Sequence, residues 1–379
     1  MKITDILLKK KYIEFKYSYG ISSASFTGEH FLVLKLVSED GQFGLSDSVT
    51  SIPYGYEDVG TMIYIIQNYL FPAIEGMDSF DLEAIETKMS QATPGHPMAK
   101  ATINIALHDL NAKILGLPVY QLLGGKYYES VVTVGSVGIS NTERMIQEAH
   151  DFIQNGCKTV KMKIGTNPQT DLERVREVRR AIGADIAFRI DANQGCNLTE
   201  YLPVFRKMEA YNLEFLEQPL PIWDLDGYQK LCAALDTPVL IDEGVYTAHD
   251  LITLIKLEAV DAVNIKVLKT GLTGGKQIAA IAEAAGLPCL VGSMFETGIG
   301  TAASVHFALS TRNVTHTSEC GFPVVLKEDV IEGDIYSELP ESYAWDVPQG
   351  IGLGVHLKSN VDMDLVSVKE QQVENDSYR

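Results

Sequence analysis

Six charged residues stand where short apolar stretches of the sequence end. They are Lys161, Lys163, Asp191, Glu217, Asp242 and Lys266. The last four are regularly spaced: 26 positions separate Asp191 from Glu217, 25 separate Glu217 from Asp242, and 24 separate Asp242 from Lys266. One strand-plus-helix unit of a barrel has about this length, because eight such units fit into roughly 250 residues. We therefore expect these side chains at the carboxyl ends of successive parallel strands.

The three carboxylates on successive strands predict a metal site. A single Asp at a strand end is more often a helix cap, but neighbouring strands lie roughly 5 Å apart, so three carboxylates would converge. Unpaired negative charges at that distance repel and need a cation between them. Ligands that are all oxygen select a hard ion, and an incomplete shell suits Mg²⁺, with Mn²⁺ as an alternative occupant.

The lysines predict proton transfer next to that cation. Lys161 and Lys163 are two positions apart on a strand, so both side chains point to the same face. Two ammonium groups beside a divalent ion disfavour each other's charge, and we expect at least one lysine to titrate low enough to act as a base. Lys266 approaches from the sixth strand, whereas Lys158 and Lys269 are predicted to be solvated surface lysines. The set is suited to removing a proton beside a carboxylate whose developing charge a metal neutralises.

Short apolar strands alternate with amphipathic helical patterns from residue 131 onward. The predicted strands are VVTVGSVGI, KTVKMKIG, IAFRIDAN, LEFLEQP, VLIDEG, AVNIKV, PCLVGS and VTHTSE. An open doubly wound sheet is the competing architecture, but eight consecutive units favour closure. We predict an α/β fold with a (β/α)8-type TIM barrel over residues 126–321.

The chain before residue 126 follows a different pattern, with strands first and helices after them. The predicted strands are 2–16, 31–37 and 42–49, and the predicted helices are 57–71, 79–91 and 97–115. This order indicates an α+β domain over residues 1–125. Residues 322–379 are predicted to run back over it, and the end QQVENDSYR is predicted to fray.

The motifs that carry these residues resemble those of a known family. KMKIG, DANQG, EFLEQP, IDEG and NIKV resemble barrel-strand motifs of the enolase superfamily, in particular the muconate-lactonizing-enzyme subgroup of the mandelate racemase/muconate lactonizing enzyme family. AKATINIALHDLNAKILGLPVYQLLGG resembles that family's linker helix. The resemblance covers nearly the whole chain, and it implies a modified, enolase-like barrel with an amino-terminal capping domain.

The resemblance also implies roles for individual residues. Asp191, Glu217 and Asp242 would bind Mg²⁺, Lys163 and Lys266 would be the acid–base pair on opposite faces of the substrate, and Lys161 would contact the substrate carboxylate. Residues expected to orient these groups are Asn193, Gln218, Glu243 and Asn264. Mobile specificity loops are expected at 17–30 and 51–57, and the assembly is expected to be a homo-oligomer, either a dimer or an octamer.

Two further polar residues are candidates for contact with the substrate. His30 lies in the first expected specificity loop, where a solvated histidine is the commoner case. Glu296, in GSMFETGIGTA, follows the seventh strand and is either a substrate-proximal acid or an acid at a helix entry.

The same residues are compatible with several reactions on a small carboxylate. Two opposed lysines permit racemisation or epimerisation, the same set permits muconate-type cycloisomerisation, and syn-dehydration of a hydroxy acid or hydroxyproline derivative stays open. The sequence Glu319-Cys320-Gly321 lacks the Asp-x-Asp pair found there in dipeptide epimerases of the family, which argues against a dipeptide. Two other classes are a barrel enzyme that forms a Schiff base on Lys163 or Lys266 and a catalytically silent binding barrel.

Composition excludes several other functions. Fifty acidic against 31 basic residues give a net charge of −19 with no basic stripe, which argues against nucleic-acid binding. No apolar run approaches the roughly 20 residues of a membrane helix, and no signal peptide is recognisable. The five scattered cysteines form no C-x-x-C pair, which predicts reduced thiols, no structural zinc and a cytoplasmic location.

Overall fold

The computed structural model describes residues 1–50, 52 and 57–370. Most of the predicted loop at 51–57 and all of residues 371–379 lie outside this range. No helix in the described ranges has both the length and the apolar character needed to cross a bilayer.

The amino-terminal domain is built on an antiparallel sheet of three long strands, β1 (Ile3–Gly20), β2 (Ser25–Ser38) and β3 (Phe43–Val49). Alternating buried and exposed positions along β1 show that one face packs on the core. β1 pairs with β2 from Ile3↔Ser38 to Gly20↔Ser25. Residues 17–30 are therefore mostly two paired strands joined by a short turn, not the mobile loop that was predicted, because this pairing satisfies their backbone hydrogen bonds.

Five helices follow the sheet, and the fourth connects the two domains. They are α1 (Val59–Ile65), α2 (Phe71–Ile74), α3 (Leu82–Ala92), α4 (Pro97–Leu115) and α5 (Val119–Leu122). α4 is buried on nearly all sides because it lies between the sheet and the barrel. Gly44 permits this approach, since a Cβ there would sit 1.8 Å from the carbonyl oxygen of Ala106. Asp109 of α4 also accepts a hydrogen bond from the backbone of Leu45 at 2.7 Å.

The second domain holds seven parallel strands in sequential order. After a short β4 (Val131–Val132) these are β5 (Gly135–Val137), β6 (Thr159–Lys163), β7 (Ala187–Asp191), β8 (Phe215–Glu217), β9 (Val239–Ile241), β10 (Ala262–Ile265) and β11 (Cys289–Val291). The helices between and after them are α6 (Thr142–Gln154), α7 (Pro168–Ile182), α8 (Leu198–Met208), α9 (Leu225–Ala234), α10 (Ala248–Lys256), α11 (Val267–Ala284) and α12 (Gly298–Leu309).

The eighth predicted strand, VTHTSE, forms no regular strand, but it joins the two edges of this sheet. Thr315 and Glu319 donate backbone hydrogen bonds to Cys289 and Val291 of β11, while Ser318 donates to Val132 and accepts from Val134. Residues 314–319 therefore complete the enolase-like barrel as an irregular segment, because they bond alternately to one edge and the other.

Part of the carboxyl-terminal segment contacts the sheet of the first domain. It contains β12 (Ala344–Trp345), α13 (Ser359–Met363) and β13 (Val366–Ser367). β13 pairs with β1 through Leu7↔Ser367, and Lys35 forms an ion pair with Asp362 at 2.7 Å.

Candidate active site

The six charged residues of the sequence motif meet at the carboxyl ends of the barrel strands. Strand register places Lys163 beside Asp191, and Asp191 beside Glu217. The three carboxylates are fully buried, and the three lysines are at most 6% exposed. Charges buried to this extent need partners close by.

Each lysine finds a carboxylate partner. Lys163 Nζ lies 2.6 Å from Asp191 Oδ2, and Lys266 Nζ lies 2.5 Å from Asp242 Oδ2. Lys161 Nζ lies 3.2 Å from both Asp191 and Glu217. The lysines and acids therefore compensate each other's charge within the barrel mouth.

This pairing affects the pKa values of the lysines. Burial lowers the pKa of the Lys163 ammonium, but the negative charge around it, chiefly that of Asp191, outweighs burial in total, so its pKa lies above the ordinary value. The pKa of Lys266 is raised in the same way by Asp242, against burial. The prediction that one lysine titrates low concerns a site that holds a divalent cation, and it stays a prediction.

Among the described residues, no three His, Cys, Asp or Glu side chains are arranged so that they could hold a metal ion. The chemistry of the three carboxylates nevertheless fits a hard divalent cation, since every donor is an oxygen. Burial, and then the charges of Asp191 and Glu319, raise the pKa of Glu217 well above its ordinary value. A cation beside Glu217 would relieve this repulsion.

The charge balance points the same way, because carboxyl groups outnumber ammonium groups in the site. The acids are Asp191, Glu217, Asp242, Glu243 and Glu319, and the lysines are Lys161, Lys163, Lys266 and Lys269. With all of these carboxyl groups ionised, the cluster would carry one more negative than positive charge, which a bound cation would offset.

Three of the four residues expected to orient these groups contact one of them or its backbone, and the fourth, Glu243, is hydrogen-bonded to Asn193. Asn193 accepts from Lys163 Nζ at 2.8 Å and donates to Glu243 at 2.9 Å. Asn264 donates to Glu217 at 2.8 Å. Gln218 accepts from the backbone N–H of Asp242 at 2.9 Å. Burial and the charge of Asp242 raise the pKa of Glu243 to about 7.

Lys269 is a residue whose sequence-based interpretation is wrong. It was predicted to be a solvated surface lysine, but it is 1% exposed. Its Nζ donates to Asp242 Oδ1 at 2.7 Å and to the Asp242 carbonyl oxygen at 2.6 Å. The spacing from Lys266 is the missed signal, because residues three apart in a helical turn share a face.

The structure places His30 and Glu296, the two further candidates for substrate contact, in different surroundings. His30 lies on β2 with its ring edge-to-face against Tyr12, centroids 5.1 Å apart, and it is not among the described residues that line the cavity around the lysines. Because strand pairing directs it toward Tyr12, a substrate contact is not supported. Glu296 is buried, and its Oε2 accepts from Ser293 and from the backbone of Met294, both at 2.7 Å. Glu296 therefore holds the turn after β11.

The cavity in front of the three lysines, here called the catalytic cavity, has a volume of about 90 Å³. The aromatic residues in its wall are Tyr17, Tyr19, Phe152, Phe295 and Phe322. Glu319 also lines it, with Oε1 2.6 Å from Lys161 Nζ. This pairing was not predicted from the sequence, because the irregular backbone of the eighth segment determines where Glu319 points.

Phe295 contacts both the amino-terminal domain and the carboxyl-terminal segment at this cavity. Its ring contacts Phe322 of the carboxyl-terminal segment at 4.3 Å and Phe26 of β2 at 5.3 Å between centroids. Its backbone φ is +72°, a left-handed conformation that costs free energy for a bulky residue. Asn193 and Gln218 also have positive φ values. These three residues with a strained, left-handed backbone therefore all lie at the mouth of the barrel.

The turn between β1 and β2, together with the strand ends beside it, forms hydrogen bonds with the barrel. Tyr19 Oη is hydrogen-bonded to Ser136 Oγ at 2.7 Å, and Ser22 donates to the carbonyl oxygen of Asn193 at 3.2 Å. The backbone of Ile139 donates to that of Gly20 at 2.9 Å. The amino-terminal domain therefore supplies one wall of the catalytic cavity.

Comparison with known proteins agrees with this arrangement. Residues 6–124 match the mandelate racemase/muconate lactonizing enzyme N-terminal domain family, and residues 144–361 match the enolase C-terminal domain-like family. The N-succinyl-L-Arg/Lys racemase of Bacillus cereus is 33% identical over 96% of this chain and 98% of its own. Its crystal structure has a TM-score of 0.91, with 97% of this chain and 98% of that one covered.

Two other solved structures extend the comparison. A dipeptide epimerase from Enterococcus faecalis, complexed with Mg and the dipeptide L-Leu-L-Tyr, has a TM-score of 0.87 at 30% identity, covering 94% of this chain and 99% of that one. A muconate lactonizing enzyme from Pseudomonas fluorescens, complexed with muconolactone, has a TM-score of 0.90 at 27% identity, covering 95% and 98%. The chain belongs to the mandelate racemase/muconate lactonizing enzyme family of the enolase superfamily, and it is an isomerase.

Proposed function

We propose that this protein is a Mg²⁺-dependent racemase or epimerase that inverts the carbon next to the carboxylate of an N-acylated amino acid. The observation that carries the proposal is the pair of buried lysines, Lys163 on β6 and Lys266 at the end of β10, which both line the catalytic cavity. Bases on two different strands can reach opposite faces of one carbon, which is what inversion requires.

In the proposed mechanism, one lysine removes the α-proton as a neutral amine, the form it would take once a cation offsets the charge of its partner carboxylate, and the other delivers a proton to the opposite face as an ammonium group. The α-proton moves to Nζ of the first lysine, and the electron pair of the broken C–H bond is delocalised onto the substrate carboxylate as an enolate. A proton from Nζ of the second lysine then forms the new C–H bond on the opposite face, so the first lysine ends as an ammonium group and the second as a neutral amine. Lys161 lies between Glu319 and the acid cluster, where its ammonium group would hold the substrate carboxylate. Asn193 orients Lys163 through its 2.8 Å hydrogen bond.

Asp191, Glu217 and Asp242 would hold the Mg²⁺ ion. When bound, the cation supplies positive charge that neutralises the substrate carboxylate as its α-proton leaves. The Enterococcus faecalis structure named above contains Mg, which supports this cofactor for a chain with the same fold.

The choice of an N-acylated substrate depends on Glu319. A substrate with a free ammonium group needs an unpaired carboxylate in the cavity, but Glu319 is engaged by Lys161 at 2.6 Å. An N-acylated amino acid carries no ammonium group at the α-nitrogen, and the Bacillus cereus relative is named for N-succinylated substrates. The aromatic walls favour an uncharged group next to the reacting carbon.

Cycloisomerisation of a muconate is the second candidate. The aromatic side chains Phe152, Phe295 and Phe322 line the cavity and would pack against the conjugated part of a muconate, and the Pseudomonas fluorescens neighbour was solved with muconolactone. Such a reaction uses only one of the two lysines as the proton-transfer group.

Proton NMR in D₂O tests the proposal. Single enantiomers of N-succinyl and N-acetyl amino acids, dipeptides and cis,cis-muconate are incubated with the protein and either MgCl₂ or EDTA. We expect Mg²⁺-dependent loss of the α-proton signal and formation of the opposite enantiomer from an N-acylated amino acid. New lactone resonances from muconate would establish the second candidate instead. Reaction only with dipeptides would overturn the substrate class, and trapping of a lysine by borohydride would indicate a Schiff-base enzyme.

A further inference from the structure

Two lysines contact different oxygen atoms of the Asp242 carboxylate. Lys266 Nζ lies 2.5 Å from Oδ2, and Lys269 Nζ lies 2.7 Å from Oδ1. Lys269 also donates to the Asp242 carbonyl oxygen at 2.6 Å, so it bridges the side chain and the backbone of the same residue. A bridge of this kind fixes the rotation of the carboxylate relative to its strand.

Local chain geometry explains how both lysines reach one residue. Lys266 precedes the first turn of α11, and Lys269 is the third residue of that turn. Gly271 then breaks the helix with φ +66° and ψ 177°, so the first turn is set apart from the rest of α11. The turn directs Lys266 toward the catalytic cavity and Lys269 toward the outer side of Asp242.

We propose that Lys269 is a positioning residue for Asp242: by holding Oδ1 and the carbonyl oxygen, it fixes the orientation of the carboxylate that would bind the divalent cation. This inference rests on the proposed role of Asp242 as a metal ligand. Lys269 does not line the catalytic cavity among the residues that the structure describes there, so it acts through Asp242 and not on the substrate. Residues that orient metal ligands typically contribute 10–100-fold to metal affinity.

A second cavity reaches Lys269 from outside and makes the proposal testable by chemical rescue. Its volume is about 430 Å³, and it lies between α3 and α4 of the first domain and α10 and α11 of the barrel. Lys269, Tyr246 and Gly274 are among its lining residues. Replacing Lys269 by Ala removes three methylene groups and the ammonium group, which together have the size of propylammonium.

The experiment measures Mg²⁺ binding by calorimetry in the full-length protein without substrate. The variants are Lys269→Ala and Lys269→Met, the second keeping the side-chain volume in case the first folds poorly. Lys276→Met is the matched control, because Lys276 lies on the same helix and donates to the carbonyl oxygen of Ser310 at 2.5 Å, away from Asp242. Propylammonium is added to Lys269→Ala, with tetramethylammonium as a cation that has no N–H donor.

We expect the Mg²⁺ dissociation constant to rise 10–100-fold in both Lys269 variants and to stay at the wild-type value in Lys276→Met. Propylammonium, but not tetramethylammonium, should recover part of the affinity of Lys269→Ala. Unchanged or tighter Mg²⁺ binding in the Lys269 variants would overturn the inference, since Lys269 would then act only as a repelling charge. If the wild-type protein itself binds no Mg²⁺, that result would overturn the proposed metal site, on which the role of Lys269 depends.

Discussion

At the scale of single residues, the site is a network in which each buried charge has a neighbour of opposite sign. Lys163 pairs with Asp191, and Lys266 and Lys269 share Asp242. Because burial penalises an unpaired charge by several kcal/mol, removal of one partner affects the other. The network therefore holds Lys163 at the end of β6 and Lys266 directly after β10 in place before a substrate binds.

A buried neutral histidine gives a pH prediction. His306 Nδ1 accepts from the backbone of Tyr120 at 3.1 Å, and Nε2 faces the carbonyl oxygen of Leu353 at 3.2 Å. Burial lowers the pKa of His306 to about 4. The unfolded chain binds a proton below about pH 6.5 while the folded chain does not, so stability is lost as pH falls from about 6.5 to 4, by up to roughly 3 kcal/mol.

Urea unfolding between pH 7 and pH 4.5 measures this effect. We expect a His306→Gln variant to lose less stability over this interval than the wild-type protein, because glutamine has no ionisable group. His249, which is exposed, provides the control, and His249→Gln should follow the wild-type curve. Parallel curves for His306→Gln and wild type would contradict the assignment.

At the scale of elements, the kink in α11 is what brings Lys269 to Asp242. The Gly271 backbone, with φ +66° and ψ 177°, occupies a region that only glycine adopts readily. A Cβ at this position would lie 2.7 Å from Asn104 Oδ1, which accepts from the backbone of Leu272 at 2.8 Å. Asn104 of α4 thus caps the second part of α11.

We predict that Gly271→Ala lowers the free energy of unfolding by about 1–3 kcal/mol or more, from backbone strain and the contact with Asn104. It should also weaken Mg²⁺ binding, because the turn that carries Lys269 shifts. Gly274→Ala is the matched control: its backbone is helical, the nearest heavy atom to an added Cβ is 3.7 Å away, and alanine favours the helix by up to about 1 kcal/mol. Equal stability of the two variants would refute the role of the kink.

Several elements were predictable from the sequence because their patterns are local. α4 extends over Pro97–Leu115 as predicted for 97–115, since Gly116 ends it in a left-handed conformation with Pro118 just beyond. The strands that carry Asp191 and Glu217 also end at these residues. The β1–β2 extension to Gly20 and the irregular eighth segment were not predictable, because both depend on partners distant in the chain.

At the scale of the whole molecule, the amino-terminal domain and the barrel share the site. The β1–β2 turn contacts Ser136 and Asn193, and Asp47 of β3 accepts from the backbone and hydroxyl of Thr297 at the start of α12, at 2.7 and 2.6 Å. The charged motif was visible in the sequence through its regular spacing. The pairing of Glu319 with Lys161 and the burial of Lys269 were not, because they arise only when the two edges of the barrel meet.

The measurement that tests the central claim most directly is α-proton exchange in D₂O with each enantiomer of an N-succinyl amino acid, in the Lys163→Ala and Lys266→Ala variants with MgCl₂. If the lysines act on opposite faces, each variant should lose exchange of one enantiomer by about 10²–10⁴-fold and retain exchange of the other, with the preference reversed between the two. Loss of exchange for both enantiomers in both variants, or for the same enantiomer in both, would contradict two opposed bases.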